Sequence, residues 1–292
     1  MLFTGTGVAI VTPFKDDKAV DFEALGRIVE HCIDGQVDYV VALGTTGEPM
    51  TLSVKEKQDV VRCVVETVAS RVKIVVGVGG YDTAEVVETM KSTNFSGVSG
   101  VLSVVPYYNK PTQTGLTAHF KTVASASPAP VILYNVPSRT GVNMTAATTL
   151  TLAHEVSNIV AIKEASGMLT QMMQIIKDRP SDFSVVSGDD VMSLPLISLG
   201  GHGVISVAAN AFPQKVSSII RSSLGKNFIQ AQSVHYEMLD LFENLFVEGN
   251  PSGIKAALSI LGLAQNVLRL PLVPVSQQTY DKLSSLVQSI KK

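Results

Sequence analysis

Tryptophan is absent from the 292-residue chain, and cysteine occurs only as Cys32 and Cys63. Two thiols cannot build a disulfide framework or a closed zinc site. Both sit in apolar helical patterns and are expected to be reduced core residues. The five histidines, His31, His119, His154, His202 and His235, show no metal-ligand pairing, so no metal is expected. Charge is sparse: 16% of residues are Asp, Glu, Lys or Arg, with 23 basic against 25 acidic and a formal net charge of -2. Without a basic run nothing neutralises a phosphate backbone, which excludes nucleic acid as a partner. The longest apolar runs, such as residues 39–43 and 131–137, fall far short of the roughly 18 residues needed to cross a bilayer. The first residues carry neither a basic lead nor an apolar segment of signal length. A cytoplasmic protein without membrane contact is expected.

Apolar residues, in contrast, make up 46% of the chain, enough for a large buried core. Short β-branched runs recur at 6–11, 37–43, 73–78, 101–105, 131–135, 159–163, 183–187 and 203–207. Each gap leaves room for the crossover helix that a parallel connection requires. The runs are almost continuously apolar, as strands covered on both faces must be. Between them lie helix signals: Ser53 with Glu56 as a capping box, Asp21, Asp82 and Thr145 as N-caps, and a stripe of Val54, Val61, Val65 and Val68. A helix starts near Pro213, and from about Asn227 only helical periodicity remains, broken at Asn250-Pro251 and between Pro271 and Pro274. The pattern predicts an α/β fold, a closed (β/α)8 barrel over residues 1–226 with a helical C-terminal region at 227–292. A doubly wound open sheet is the alternative.

In such a barrel chemistry sits where strands end. Lys163 ends the sixth run as the only cation in Ile-Val-Ala-Ile-Lys. An ordinary lysine leaves only about one amine in a thousand unprotonated near neutrality, whereas burial can make the nucleophilic form plentiful. Either Lys163 is such a nucleophile, or it is a structural cation paired with a carboxylate such as Glu164. Tyr134 ends the neighbouring fifth strand and could relay protons to that amine, or be an amphipathic core residue. Thr45 and Thr46 lie in the turn Gly44-Thr45-Thr46-Gly47-Glu48, whose N–H groups and hydroxyls could cradle a small carboxylate. Arg139, just past strand five, could hold a second carboxylate bidentately or be a solvated loop residue. Tyr107 and Tyr108 cannot both face the core, so one is expected to meet a partner subunit. Gly77-Val78-Gly79-Gly80 lacks a full dinucleotide fingerprint and reads as a tight turn. Asp189 and Asp190 after strand seven would repel a phosphate at the mouth.

Together, GTTGE after strand two, PYYNKP after strand four, YNVPSRTG at strand five, IKEASG at strand six, SGDD after strand seven and GGHGVISV at strand eight resemble the dihydrodipicolinate synthases. These belong to a Schiff-base 2-keto acid aldolase superfamily that also contains N-acetylneuraminate lyase. The resemblance spans the barrel and turns the Lys163 alternatives toward catalysis. It implies that Lys163 forms a Schiff base with pyruvate, whose carboxylate is held by Thr45 and Thr46, and that the enamine attacks aspartate semialdehyde. It implies that Tyr134 shuttles protons through Thr45 to Tyr108 of a neighbouring subunit, so the enzyme would be a homodimer or homotetramer. Arg139 would bind the semialdehyde carboxylate, and Gly188 and Ile205 match positions whose backbone carbonyls line the site. An imine is its own electron sink, so no cofactor is expected. A sister aldolase such as a neuraminate lyase is the nearer alternative, and a non-catalytic barrel that binds small acids the more distant one. Family members inhibited by lysine carry small polar and histidine residues after GTTGE and an asparagine after strand three. Here stand Pro49, Met50, Val54, Lys57 and Tyr81, with Glu85 retained, which implies weak or absent inhibition.

Overall fold

The β-branched runs become eight parallel strands in the computed structural model, which describes residues 1–291. They are β1 (Gly5–Ala9), β2 (Tyr39–Ala42), β3 (Lys73–Gly77), β4 (Gly100–Val104), β5 (Val131–Asn135), β6 (Ile159–Glu164), β7 (Ser184–Ser187) and β8 (Gly203–Ser206). Each pairs with the next, and β8 returns to β1 with Gly5 opposite Gly203 and Val8 opposite Ser206, closing a (β/α)8 barrel. That last pairing overturns the open-sheet alternative. It also demands glycine: a Cβ on Gly203, where φ is +152°, would lie 2.0 Å from the carbonyl oxygen of Gly5. β2 is shorter than the apolar run suggests, because Leu43 turns to φ 57° and starts the Gly44 turn.

Inward-facing Val41, Val75, Ala161, Val186 and Ile205 are fully buried and fill the barrel. At the end where the strands begin, Phe3 packs edge-on against Tyr39 with ring centres 5.7 Å apart. Phe3 is fully buried, and truncating such a plug to alanine costs about 3–5 kcal/mol. With that end filled, ligands have access only where the strands finish.

The helices start where their caps predict. Asp21 accepts from Ala24 N at 3.0 Å, Asp82 from Ala84 N at 2.9 Å, and Thr145 from Thr148 N at 3.3 Å. Ser53 and Glu56 form both bonds of the capping box of the helix Val54–Val68. That helix buries Val61 and Val68 of the expected stripe together with Val60 and Val64, and packs Val65 partly buried against the core, whereas Val54 is 72% exposed. Val54 occupies the first helical position at the barrel rim, before the turn that meets the core. Cys32 is a buried free thiol as expected, whereas Cys63 is only half-buried, packed against the core with its thiol 3.7 Å from Phe22 O.

The C-terminal region contains the helices Phe228–Asn244, Ser252–Ile260 and Gln277–Lys291. Between the first two, Asn250 reaches the barrel mouth, and Pro251, Pro271 and Leu272 join it there. Among the described residues no helix is long and apolar enough to cross a membrane.

Candidate active site

Lys163 and Tyr134 lie side by side because β5 and β6 pair in register at those residues. Neighbours in a parallel sheet share a face, and successive residues alternate faces. Lys163 and Tyr134 therefore point inward together, while Asn135 and Glu164 point outward together. Lys163 Nζ lies 4.5 Å from the Tyr134 ring centre, and the two residues are 5% and 6% exposed. Glu164 is fully buried on the other face, where it accepts from Asn135 Nδ2 at 3.1 Å, Gln171 Nε2 at 3.0 Å and Ser166 N at 2.7 Å. The structural pairing of Lys163 with Glu164 is thereby overturned. Among the described residues Lys163 makes no ion pair.

Space for the lysine side chain depends on Gly188. A Cβ there would come within 3.0 Å of Lys163 Cε and 2.6 Å of the Ala165 Cβ. Asp189 follows, its carboxyl raised above the usual range by burial and drawn partly back by the Val191 N–H and the Lys163 charge. Asp190 does not face the mouth as a repelling charge. It accepts from Ser206 Oγ at 2.5 Å and from the N–H groups of Val207 and Ala208 at 3.0 Å, which fixes the chain just after β8 and Ile205. Burial raises its carboxyl as well.

The turn after β2 is held from several sides. Gly47 N donates to Gly44 O at 2.9 Å, and the Thr12 hydroxyl, from the end of the first strand run, donates to Gly47 O at 2.7 Å. Thr46 is 2% exposed, and its Oγ1 accepts from Asn250 Nδ2 at 3.0 Å. Thr45 lines a cavity of about 520 Å³ at the barrel mouth together with Tyr134, Arg139, Tyr107 and Asn250. A volume of that order suits a small-molecule ligand. Arg139 donates through Nη2 to Asn250 O at 3.3 Å, which leaves its other donors for a ligand.

Tyr107 and Tyr108 take different surroundings. Tyr107 packs edge-on against Tyr81, ring centres 5.7 Å apart, and its hydroxyl meets Met50 Sδ at 3.5 Å. Tyr108 is 87% exposed with φ at 71°, an uncommon backbone state for an aromatic residue. Within one chain it is not brought to Lys163. Ile205 is buried inside the barrel and pairs with Gly7. Among the described residues no three His, Cys, Asp or Glu side chains converge as metal ligands.

Sequence reasoning missed Asn250, Lys255 and Arg269. Lys255 forms an ion pair with Glu48, donates to Val267 O at 3.0 Å and lies 4.0 Å from the Phe14 ring centre. Arg269 lies 4.5 Å from the centre of the same ring.

The chain matches the model of the dihydrodipicolinate synthetase family over residues 2–290. The 4-hydroxy-tetrahydrodipicolinate synthase of Parabacteroides distasonis is 50% identical over 98% of this chain and 96% of its own length. The crystal structure of dihydrodipicolinate synthase from Aquifex aeolicus superposes with a TM-score of 0.95 at 43% identity, covering 99% of this chain and 98% of that one. The lysine-bound enzyme from Cyanidioschyzon merolae does so with a TM-score of 0.95 at 39% identity, covering 99% of both chains.

Proposed function

This chain belongs to the dihydrodipicolinate synthetase family, and from that premise we propose that Lys163 carries its chemistry. The protein is a lyase of the 4-hydroxy-tetrahydrodipicolinate synthase type, condensing pyruvate with aspartate semialdehyde in the biosynthesis of diaminopimelate and lysine. The observation that carries the assignment to Lys163 is its burial without a carboxylate partner, against the ring of Tyr134. A lysine held this way is exempt from the usual structural role of pairing a charge.

The Lys163 amine attacks the keto carbon of pyruvate, and loss of water gives an imine. Loss of a methyl proton then gives an enamine, which attacks the aldehyde carbon of the second substrate. The amino group of that substrate closes the ring onto the imine carbon and releases Lys163. Each proton movement needs a group that can both donate and accept, and Tyr134, whose ring centre lies 4.5 Å from the amine, brings a phenol to it. The Thr45-Thr46 turn holds the pyruvate carboxylate, and Arg139 holds the carboxylate of the semialdehyde. Gly188 and Ile205 contribute backbone carbonyls. Tyr108 serves the site of a neighbouring copy through Thr45, which accounts for an exposed aromatic in a strained backbone state and makes the enzyme a homodimer or homotetramer. The protein acts in the cytoplasm.

Arg139 in the cavity favours this reaction over that of a neuraminate lyase. The test is consumption of pyruvate and aspartate semialdehyde in equal amounts by the wild-type enzyme and its loss in Lys163→Ala. Turnover that survives the substitution would overturn the assignment.

A further inference from the structure

Thr46 and Arg139 belong to different strand ends, yet one residue touches both. Asn250 donates through Nδ2 to Thr46 Oγ1 at 3.0 Å, and its backbone carbonyl oxygen accepts from Arg139 Nη2 at 3.3 Å. It is 7% exposed and lines the cavity. The direction of its bond to Thr46 matters. Because the amide donates, the Thr46 hydroxyl keeps its own proton for a ligand oxygen.

Five residues further along, Lys255 fixes the other end of the same turn. Its ammonium pairs with the carboxylate of Glu48, which closes the turn in a left-handed conformation at φ 51°. The second Glu48 oxygen accepts the Arg269 N–H at 3.3 Å. Lys255 is 1% exposed, and burial pulls its pKa down to about 8 against the opposing pull of Glu48. A buried ion pair of this kind adds little net stability, since apolar residues of similar volume hold a fold as well or better. What it supplies is geometry, because each charge accepts only one arrangement of the other. Thr12 holds the turn from the barrel side, and the residues from 250 to 269 hold it from the C-terminal side.

We propose that Asn250 and Lys255 are positioning residues for the keto acid: the C-terminal segment sets the shape in which the Thr45-Thr46 turn binds the pyruvate carboxylate. This rests on the reading of Lys163 and the turn given above, and it makes the C-terminal region part of the binding site.

The experiment measures the pyruvate concentration at which borohydride trapping of the intact enzyme is half-maximal, together with KM, kcat and Tm. Asn250→Asp keeps the shape but exchanges a donor for an acceptor, which draws off the Thr46 proton and sets a negative charge near the carboxylate. Half-saturation should rise about 10-fold or more, the worth of one hydrogen bond to a charged group, with KM rising more than kcat falls and Tm near that of wild type. Asn250→Ala should raise it less. Were Asn250 only a filler of space, Ala would be the worse variant and Tm would move in place of half-saturation, an outcome that overturns the proposal. The double variant Lys255→Met/Glu48→Gln removes both charges at similar volume. It should fold, with Tm close to wild type and half-saturation raised, and unchanged half-saturation would remove Lys255 from the proposal. If wild type is not trapped at all, the reading of Lys163 fails first, and this proposal with it.

Discussion

Tyr134 and Lys163 are register partners on adjacent parallel strands, and the ammonium lies 4.5 Å from the centre of the ring. Strand pairing thus places a phenol beside an amine without help from any loop. The ring packs on the amine while the hydroxyl is a separate group on its edge, so the ring and the hydroxyl can be tested apart.

Tyr134→Phe keeps the ring under Lys163 and removes the proton carrier. We expect kcat to fall about 100-fold or more, the usual worth of a positioned acid–base group, while Tm stays within a few degrees. Stopped-flow or steady-state rates with a thermal melt check it. Unchanged kcat would assign the proton transfers to another group.

Arg139→Ala removes a guanidinium that spends one donor on Asn250 O. KM for aspartate semialdehyde should rise at least 10-fold, as expected for the loss of a charge-assisted contact. Imine trapping with pyruvate alone should persist. A rise in the pyruvate KM by the same factor would show that the arginine does not distinguish the two carboxylates.

Feedback by lysine should be weak or absent. Lys57 lines the mouth cavity beside Met50 and Val54, and Tyr81 packs edge-on against Tyr107. A second ammonium beside Lys57 is repelled, and the Tyr81 ring occupies volume an amino acid would need. Initial rates across a lysine titration check this; activity halved at sub-millimolar lysine would contradict it.

Acid should destabilise the fold through its buried histidines, His119, His202 and His235, which burial keeps neutral. Burial lowers His119 and His202 to about 4 from an ordinary value of 6.5. The folded state therefore keeps them neutral while the unfolded chain binds protons, so their contribution is complete above about 6.5 and is lost as pH falls toward 4. His202 Nδ1 accepts from Val185 N at 2.9 Å. His202→Asn keeps an acceptor and removes the titration, so its Tm should fall less than that of wild type between pH 7 and pH 4.5. Equal falls would mean that His202 is not part of the acid response.

The barrel was legible in the sequence because each strand is a contiguous apolar run and each helix carries a local cap. The places of Lys163, Tyr134, Thr45, Thr46 and Arg139 at strand ends could be counted along the chain, but that count left each a structural alternative, and it was the resemblance that turned them toward a site. Helix facing was less legible: Val54 fits a 3.6-residue stripe yet stands at the rim, where the helix has not reached the core. Asn250 was not legible, because its partner Thr46 lies 204 residues earlier and no periodicity links them. Lys255 did leave a signal, a single cation in the apolar helix Ser-Gly-Ile-Lys-Ala-Ala-Leu. That is the same local pattern that marks Lys163 in its strand, but a helix outside the barrel has no strand end to say which way the charge faces.

The most direct measurement is borohydride reduction in the presence of pyruvate, followed by intact mass and peptide mapping. A single pyruvate-derived adduct, located on Lys163 and absent from Lys163→Ala, is the predicted result. Folded protein that gains no adduct, or gains it on another lysine, would contradict the account at its centre.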